Sequence, residues 1–389
     1  MKNDYIMKIC LLTPRFPFPE NGGDVLRINN IARYLKRQGH DLILVSFYDQ
    51  DHDMDEACKL YDKIIIVKRR KIESFFFSLI FMICGRPIQC GYYHSKRFAK
   101  KFREVIDNEH PDRYIAHLLR MAPYLESNDL NADSTVEMTD ALSKTYSLSS
   151  NATGGMLKKN IYKIERRLIK KYETHVINVF PKVVVVSQTD IDFLHQYVDN
   201  KSLALHTNGV DCLEHISGKY DSNKICFIGN MRTLQNQDAV IRFVKYILPG
   251  IVEHNPETIF YVVGAEPSRE IKSLDNGKNV IVTGFVDDLM GFISDSCMAV
   301  APVTIAAGIQ NKVLVAMGCG IPVVMTSLIS RAIPELVDGD NCFIRDDNAS
   351  FAQACIAIMD DSKIRNNVAL NGFEMVQKCY SWNEKLRGY

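Results

Sequence analysis

The sequence has almost no excess of charge of either sign. Its 389 residues include 47 Lys and Arg against 46 Asp and Glu, a formal net charge of +1. This balance argues against nucleic acid as a partner, because such partners are usually bound by a basic excess. The hydrophobic fraction of 47% and the charged fraction of 24% are those of a globular protein long enough for two domains.

The 11 cysteines lack any paired or metal-binding spacing. There is no C-x-x-C pair and no Cys/His cluster at the spacing of a zinc site. Because the N-terminal residues show no export signal, we expect reduced thiols and a cytoplasmic protein.

No apolar run is long enough to span a bilayer, but one stretch is unusual. Residues 75–85, "FFFSLIFMICG", follow a basic cluster from Lys68 to Lys71. One interpretation is a helix that presses its phenylalanines into a membrane surface while the basic cluster contacts anionic headgroups. The other is a buried helix that covers a sheet. The first interpretation would place the protein at the inner face of the plasma membrane.

Short apolar runs alternate with helical patterns along the whole chain. In the first half, strands are predicted at 8–12, 41–48, 63–67, 113–119, 134–138 and 182–187. The second half repeats the pattern at 224–229, 258–264, 279–285, 297–303 and 321–326. Several runs are apolar throughout, which is typical of a parallel sheet covered on both faces.

This alternation predicts an α/β protein with two Rossmann-like, doubly wound domains and a cleft between them. Residues 206–223 contain many turn formers and few apolar residues, so the linker is placed there. The domains are then 1–207 and 208–374, with a C-terminal segment of about 375–389 returning to the first domain. Ligands of such sheets bind at the carboxyl ends of the strands.

The loop at 13–27, "TPRFPFPENGGDVLR", connects the first predicted strand to the first helix. Gly22 and Gly23 would let backbone amides approach an anion at the positive end of that helix, and Arg27 would add a charged donor. The alternative is a plain strand-to-helix turn. The spacing is not G-x-G-x-x-G, which argues against a dinucleotide cofactor.

The loop at 306–312, "AAGIQNK", predicts a second anion site. Gly308 and the amides of Ile309, Gln310 and Asn311 would open a helix toward a diphosphate, with Lys312 as the nearest cation. The alternative is an ordinary helix start with an exposed lysine.

A series of motifs appears in a specific order. "PRFPFPENGGDVLRINNIARYLKRQGHDLILVS" opens the chain, and "VVVVSQTDIDFL" with "NGVD" precedes the second half. There follow "FIGNMRTLQNQDAV", "PETIFYVVGAEP", "VIVTGFVDDL", "AGIQNKVLVAMGCGIPVV" and "YSW". In order and spacing the series resembles the GT-B glycosyltransferases, specifically glycosyltransferase family 4, the group 1 transferases.

The resemblance implies transfer of a sugar from a UDP- or GDP-sugar to an acceptor, with retained anomeric configuration and without a metal or other cofactor. The donor nucleotide sugar would lie on the C-terminal domain, and a glycan or lipid-linked acceptor on the N-terminal one. Gly22 and Gly23 match the loop that contacts the donor. The other matching positions face the base or the diphosphate: Gly284, Phe285, Val286, Gly308, Ile309, Gln310, Asn311 and Lys312.

Several positions depart from the family pattern. The family commonly carries two glutamates that contact the sugar and the ribose, and these places fall on Ala307 and Val315. Its Arg and Lys beside the diphosphate fall near Asn230 and Asn236, with Arg232 and Lys312 as replacement cations. Losing a ribose-binding carboxylate costs roughly 1.5–3 kcal/mol, the free energy of a hydrogen bond to a charged group.

Asp140 is the candidate catalytic residue, since the family often places a His or Asp after the strand that ends near 138. The carboxylate would polarise the acceptor hydroxyl or support oxocarbenium-like charge. The alternative is a turn or helix cap. His117 is the second candidate, with a packed core histidine as its alternative, and Arg120 is a candidate ligand of an acceptor phosphate.

These expectations combine into a retaining glycosyltransferase of bacterial-type surface polysaccharide or glycolipid synthesis, in peripheral contact with the membrane. The alternative is a non-catalytic GT-B protein that binds a sugar nucleotide or a partner enzyme, to which the absent carboxylates at Ala307 and Val315 would point.

Overall fold

The computed structural model describes residues 6–20, 22–48, 54–149, 156–304 and 309–389. Its contacts divide it into two units, Met1–Asn208 with Leu386–Tyr389, and Gly209–Lys385. Each unit is built on one parallel sheet whose strands are connected by helices. The described residues therefore form the α/β architecture of two Rossmann-like domains that the sequence predicts.

The strands of the first unit are β1 (Lys8–Thr13), β2 (Asp41–Tyr48), β3 (Lys63–Lys68), β4 (Arg113–His117), β5 (Ser134–Thr139), β6 (Lys182–Val185) and β7 (Leu203–Leu205). They pair in parallel in the order β3-β2-β1-β4-β5-β6-β7. The central strands β1 and β2 are buried along nearly their whole length. A parallel sheet covered on both faces requires such continuous apolar runs.

The helices of the first unit are α1 (Gly23–Arg37), α2 (Met54–Leu60), α3 (Lys71–Ile83), α4 (Ile88–Tyr92), α5 (Lys96–Glu109), α6 (Ala122–Glu126), α7 (Leu142–Ser149), α8 (Met156–Val179) and α9 (Gln188–Leu194). Two short turns of 3-10 helix, at Leu119–Met121 and Asn131–Asp133, complete the unit.

The second unit has strands β8 (Asp221–Ile228), β9 (Ile259–Val263), β10 (Val280–Gly284), β11 (Ser296–Ala301), β12 (Val323–Met325) and β13 (Phe343–Ile344). They pair in parallel in the order β10-β9-β8-β11-β12-β13. The strand order reverses between β8 and β11, and such a switch point is where ligands of doubly wound sheets bind.

The helices of the second unit are α10 (Leu234–Arg242), α11 (Leu248–His254), α12 (Arg269–Lys272), α13 (Leu289–Ile293), α14 (Asn311–Gly318), α15 (Ser327–Ser330), α16 (Asn348–Asp360), α17 (Ser362–Cys379) and α18 (Trp382–Lys385). A π-helical turn at Phe243–Ile247 joins α10 to α11.

The predicted strands are present, and the differences have local causes. The strand predicted at 113–119 ends at His117 because Leu118 turns to a positive φ of 69°. The strand predicted at 182–187 ends at Val185, since Ser187 caps α9 by accepting from the amide of Asp190. The sequence pattern missed β7 and β13, which are too short to show a period.

The unit boundaries differ from the predicted ones at the C-terminus. The first unit ends at Asn208, one residue beyond the predicted 207, and only Leu386–Tyr389 of the segment 375–389 group with it. The reason is packing, because Val376 belongs to the core of the second unit and Trp382 is 4% exposed. Gly209 also lies against Trp382 so closely that a Cβ would be 2.5 Å from its backbone.

Candidate functional site

Two residues at the carboxyl end of the first sheet have backbone conformations that are rare for their type. Leu118 follows β4 with φ 69°, and Thr139 ends β5 with φ 68°. Left-handed backbone at a branched or bulky residue costs about 1–3 kcal/mol and is concentrated at functional sites. The two strained residues stand directly beside His117 and Asp140, which marks this edge of the sheet.

His117, the last residue of β4, is 2% exposed. Neither ring nitrogen forms a hydrogen bond with a described residue. Burial lowers the pKa of His117 to about 3, although the nearby Asp24 acts in the opposite direction. The imidazole is therefore neutral at physiological pH, with one donor and one acceptor nitrogen that a ligand hydroxyl can engage.

The loop after β1 contributes a carboxylate that the sequence analysis did not single out. Asp24 lies in the first turn of α1 and accepts from Nε of Arg15 at 2.8 Å. Burial raises the pKa of Asp24, but bonding to Arg15 and its positive charge outweigh this, so the pKa is lowered and Asp24 is ionised. In the sequence, the position of Asp24 directly after Gly22 and Gly23 was the pattern that could have predicted this carboxylate.

Gly22 and Gly23 differ in how much space a side chain would have at each position. Gly22 has φ 120°, and a Cβ there would lie 2.7 Å from Nη2 of Arg15. A Cβ on Gly23 would meet nothing within 4 Å, so the space above it is open to a ligand. The loop itself is held by Asn29, whose Nδ2 donates to the carbonyl of Pro17 at 2.8 Å and to Oε1 of Glu20 at 2.8 Å.

Arg27 is held in a buried ion pair, and its predicted contact with a phosphate stays a prediction. Its side chain is 0% exposed and its Nε donates to Oε1 of Glu137, also 0% exposed, at 2.8 Å. Nη1 donates to Asn208 at 2.9 Å, and the hydroxyl of Tyr389 donates to Oε2 of Glu137 at 2.9 Å. Arg27 is therefore a buried structural ion-pair residue. Removing one partner of such a pair typically costs about 3–5 kcal/mol.

Asp140 follows the end of β5 with an exposed side chain. Its carboxylate accepts no hydrogen bond from the described residues, so the structure gives no support to the alternative of a helix cap. Partial burial and the negative charge of Asp190 raise the pKa of Asp140, against the opposing charges of Arg27 and Lys144. A raised pKa makes the carboxylate a better proton acceptor.

Arg120 lies in the turn Leu119–Met121, three residues beyond His117. Its guanidinium carbon is 4.9 Å from the ring centre of Tyr93. Within the described part of the chain it has no hydrogen bond or ion pair, and its Nε is buried. The guanidinium of Arg120 therefore has its charge and its hydrogen-bond donors available for an anion, and its predicted role stays a prediction.

In the second unit, two glycines bring the ends of β8 and β9 together. A Cβ on Gly264, whose φ is 153°, would lie 1.7 Å from the carbonyl oxygen of Gly229. The pocket beside them has a volume of about 240 Å³ and is lined by Gly229, Asn230, Gly264, Val286 and neighbouring apolar residues. A residue without a side chain is therefore required at position 264 for the two strand ends to lie this close.

Lys312 lies in the first turn of α14 and connects to this pocket. Its ammonium group donates to Oδ1 of Asn236, and Nδ2 of Asn236 donates to the carbonyl of Asn230 at 2.8 Å. Lys312 also lies over the ring of Phe227 at 4.8 Å. Burial lowers the pKa of Lys312 to about 8. A cation kept partly desolvated at a helix N-terminus is suited to an anionic ligand.

The remaining predicted residues of this unit are mainly at the surface. Arg232 is exposed, and its Nε contacts Oε2 of Glu266 at 2.5 Å. Phe285 is 70% exposed beside the pocket, directly after Gly284, whose φ is 71°. Ile309 is 46% exposed.

Five further positions bear on the start of α14. Asn311 is the exposed first residue of α14, and Gln310, before it, is 6% exposed. Val315 lies one turn after Lys312 on the same face of α14 and packs partly buried against the core of the second unit. Gly308 and Ala307 lie outside the described residues.

The described ranges contain no group of three or more His, Cys, Asp or Glu side chains arranged to hold a metal ion. Among the helices described, none is both long enough and apolar enough to cross a membrane.

Known proteins share this architecture. A family model described as "Glycosyl transferases group 1" matches residues 222–361. An "uncharacterized 44.6 kDa protein in cps region" of Klebsiella pneumoniae is 23% identical over 387 residues, which cover 96% of each protein.

Solved structures agree over nearly the whole chain. Alr3699/HepE of Anabaena in complex with UDP is 14% identical, with a TM-score of 0.60 and coverage of 98% of this chain and 99% of that one. A glycosyltransferase from Rickettsia africae ESF-5 is 14% identical, with a TM-score of 0.61 and coverage of 99% and 97%. Alr3699/HepE was also solved with UDP-glucose, at 12% identity, coverage of 98% and 97%, and a TM-score of 0.58.

The two parallel-sheet domains define the GT-B fold, as the motif series implied. The match at residues 222–361 covers the second sheet with its glycine pocket and Lys312. Over these residues the chain is similar to the group 1 glycosyl transferases.

Lys312 predicts a pH dependence of UDP binding. Because its pKa is about 8, the ammonium group is charged at pH 7 and mostly neutral at pH 9. A bound diphosphate favours the charged form, so UDP affinity should fall roughly tenfold between these pH values. Titration calorimetry at both pH values measures this.

Lys312→Arg is the matched control, since a guanidinium remains charged throughout this range. The comparison also cancels any ionisation of UDP itself. An equal loss of affinity in the wild type and in Lys312→Arg would contradict the assignment of the phosphate contact to Lys312.

Proposed function

We propose that the protein transfers a sugar, with retained anomeric configuration, from a UDP- or GDP-sugar to a glycan or lipid-linked acceptor. The observation that carries this proposal is the Lys312–Asn236–Asn230 connection beside the glycine pair Gly229 and Gly264. It offers a diphosphate a cation, a helix N-terminus and backbone without side chains. The UDP and UDP-glucose complexes of Alr3699/HepE support a nucleotide-sugar donor.

The donor is held mainly through its diphosphate. Val315 stands where a ribose-binding carboxylate is common in the family, and its apolar side chain offers the ribose hydroxyls no acceptor. The exposed ring of Phe285 and the backbone after Gly284 provide an apolar surface for the base. The affinity for the donor therefore depends on Lys312 more than on any contact to the nucleoside.

The first unit supplies the groups that act on the acceptor. The acceptor oxygen forms a bond to the anomeric carbon on the same face from which the diphosphate oxygen departs, so the configuration is retained. The bond from that carbon to the diphosphate oxygen breaks, and the nucleoside diphosphate leaves with the electron pair. Asp140 takes the hydroxyl proton, which its raised pKa favours. Neutral His117 contacts a hydroxyl of the reacting sugar through its unpaired nitrogens.

The setting is the synthesis of a surface polysaccharide. The relative from Klebsiella pneumoniae, described as lying in a cps region, spans 96% of this chain and supports that assignment. A cytoplasmic location fits the supply of nucleotide sugars and the unpaired cysteines.

Asp140→Asn tests the catalytic assignment. Wild-type protein is incubated with a panel of UDP- and GDP-sugars, and release of the nucleoside diphosphate is measured. The substitution removes the proton acceptor and should lower the rate about 100-fold or more, while UDP binding stays unchanged. Asp107→Asn, an exposed aspartate on α5, is the control and should retain full activity.

Unchanged turnover in Asp140→Asn would remove Asp140 from the mechanism. Binding of UDP without turnover of any donor in the wild type would instead favour a sugar-nucleotide-binding subunit over an enzyme.

We further propose that α3 contacts an anionic membrane surface. The buried positions of this helix are Ser74, Ser78 and Phe81, while most of its large apolar side chains are exposed. The exposed set recurs at helical spacing: Ile72 (88%), Phe75 (68%), Phe76 (61%), Leu79 (43%) and Ile83 (81%).

Close packing explains this arrangement. A Cβ on Gly91 of α4 would lie 2.5 Å from the carbonyl oxygen of Phe77, so the two helices meet through small residues. Most of the large side chains of α3, apart from Phe81, are thereby left on the outer face. An exposed apolar stripe of this size indicates an interaction surface.

Basic side chains at the start of α3 select the partner. Arg70 and Lys71 line a depression with Ile72, Glu73, Phe76 and Arg97, in which Glu73 pairs with Arg97 at 3.9 Å. Basic residues beside an apolar helix face fit anionic headgroups, at about 1 kcal/mol for each charge near the surface. The buried-helix interpretation of this stretch is not supported, since its phenylalanines at 75 and 76 are exposed.

The double substitution Phe75→Ser and Phe76→Ser tests this surface. Sedimentation with vesicles that contain anionic lipid should recover most of the wild-type protein and much less of the variant. Tyr246→Ser, which removes a 64% exposed aromatic ring from the second unit, is the control. Equal recovery of wild type and double variant would contradict membrane contact through α3.

A further inference from the structure

The first unit contains a cavity whose wall combines Arg120 with tyrosines that the assignments above leave unused. It has a volume of about 320 Å³ and lies among α3, α4, the turn that carries Arg120, α7 and α8. This is within the usual range of small-molecule sites, roughly 300–1,000 Å³. Its position follows from the neighbouring strands, since Arg120 comes just after β4 and α7 just after β5.

Tyrosine rings form much of the wall. Tyr92, Tyr93, Tyr146 and Tyr162 all line the cavity. Tyr146 and Tyr162 meet edge to face with ring centres 5.6 Å apart, and Tyr92 and Tyr93 do so at 5.3 Å. Such pairs are rigid and present both an apolar face and a hydroxyl, which suits the mixed apolar and polar surface of a sugar ring.

Two hydrogen-bond donors of the wall lack partners. Nε of Arg120 and Nε2 of Gln89 are buried, and neither donates to any atom of the described residues. A buried donor without an acceptor destabilises a protein by about 1–3 kcal/mol, and by more when it is charged. A ligand that accepts hydrogen bonds from Arg120 and Gln89 would remove this cost. A guanidinium matches the planar oxygens of a carboxylate or phosphate.

The acidic residue of the wall does not neutralise Arg120. Glu165 accepts from the backbone amides of Ile88 at 2.8 Å and Gln89 at 3.1 Å, which fixes the start of α4. Burial raises the pKa of Glu165, although these amide bonds act in the opposite direction. The positive charge of Arg120 is left for a ligand.

We propose that this cavity binds an anionic sugar of the acceptor, with its carboxylate or phosphate on Arg120 and Gln89 and its ring against the tyrosines. The proposal rests on the proposed transferase function, which it deepens by naming the acceptor's chemical class. It is independent of the donor nucleotide, since the residues involved all belong to the first unit.

The test uses the full chain with the donor site filled by saturating UDP. Binding of three probes is measured by titration or saturation-transfer NMR: methyl β-D-glucuronide, glucose 1-phosphate and the neutral methyl β-D-glucoside. At least one anionic probe should bind about tenfold or more tightly than the neutral one. The glucuronide and the phosphate arms decide which anion the acceptor carries.

Variants test whether the preference for anionic probes depends on Arg120. Arg120→Gln should abolish the difference between anionic and neutral probes, and Arg120→Lys should retain part of it because the charge remains. Arg166→Ala, an exposed arginine on the same helix as Tyr162, should leave the difference unchanged. Should Arg120→Gln fail to fold, the wild-type preference and Arg120→Lys still decide the question.

Equal affinity of the wild type for all three probes, or an anionic preference that survives Arg120→Gln, would overturn the proposal. Failure of the transferase function is visible separately, because UDP binding and donor turnover are measured without any of these probes.

Discussion

Parallel strands impose the constraint from which the candidate site follows. Each strand of a parallel sheet must be reached by a crossover, so loops and helix starts accumulate at the carboxyl edge of the sheet. In the first unit this edge carries Gly23, His117 and Asp140. In the second it carries the glycines at the ends of β8 and β9, with Lys312 connected to them through Asn236.

Several residues at these edges are strained, unpaired or desolvated, which a purely structural role does not require. Leu118 and Thr139 hold left-handed backbone, His117 holds two unpaired ring nitrogens, and Lys312 is partly desolvated. Arg27 is the contrast. Its charge is fully buried but paired with Glu137 through Nε, although its Nη2 has no hydrogen-bond partner among the described residues. Strain and unpaired polarity at one edge, with paired charge below it, separate a binding surface from its support.

Local patterns predicted the strands, the loop of Gly22 and Gly23, and the helix start at Lys312. The roles of Asp140 and His117, the first of which rests on the family resemblance, stay predictions. The sequence could not predict that Arg27 is buried, since its partner Glu137 is 110 positions away in the chain. The sequence could not predict the tyrosine cavity either, because its walls come from separate helices that only the fold brings together. For α3 the pattern left two interpretations, and the small residues at its contact with Gly91 favour the exposed one.

The central claim is that the second unit binds its nucleotide-sugar donor mainly through the diphosphate. Calorimetric titration of wild-type protein with UDP, pyrophosphate and uridine tests this most directly. Pyrophosphate should keep most of the affinity of UDP, while uridine should bind roughly 100-fold more weakly or worse, because it cannot engage Lys312 or the helix N-terminus. Uridine binding as tightly as UDP would contradict the account.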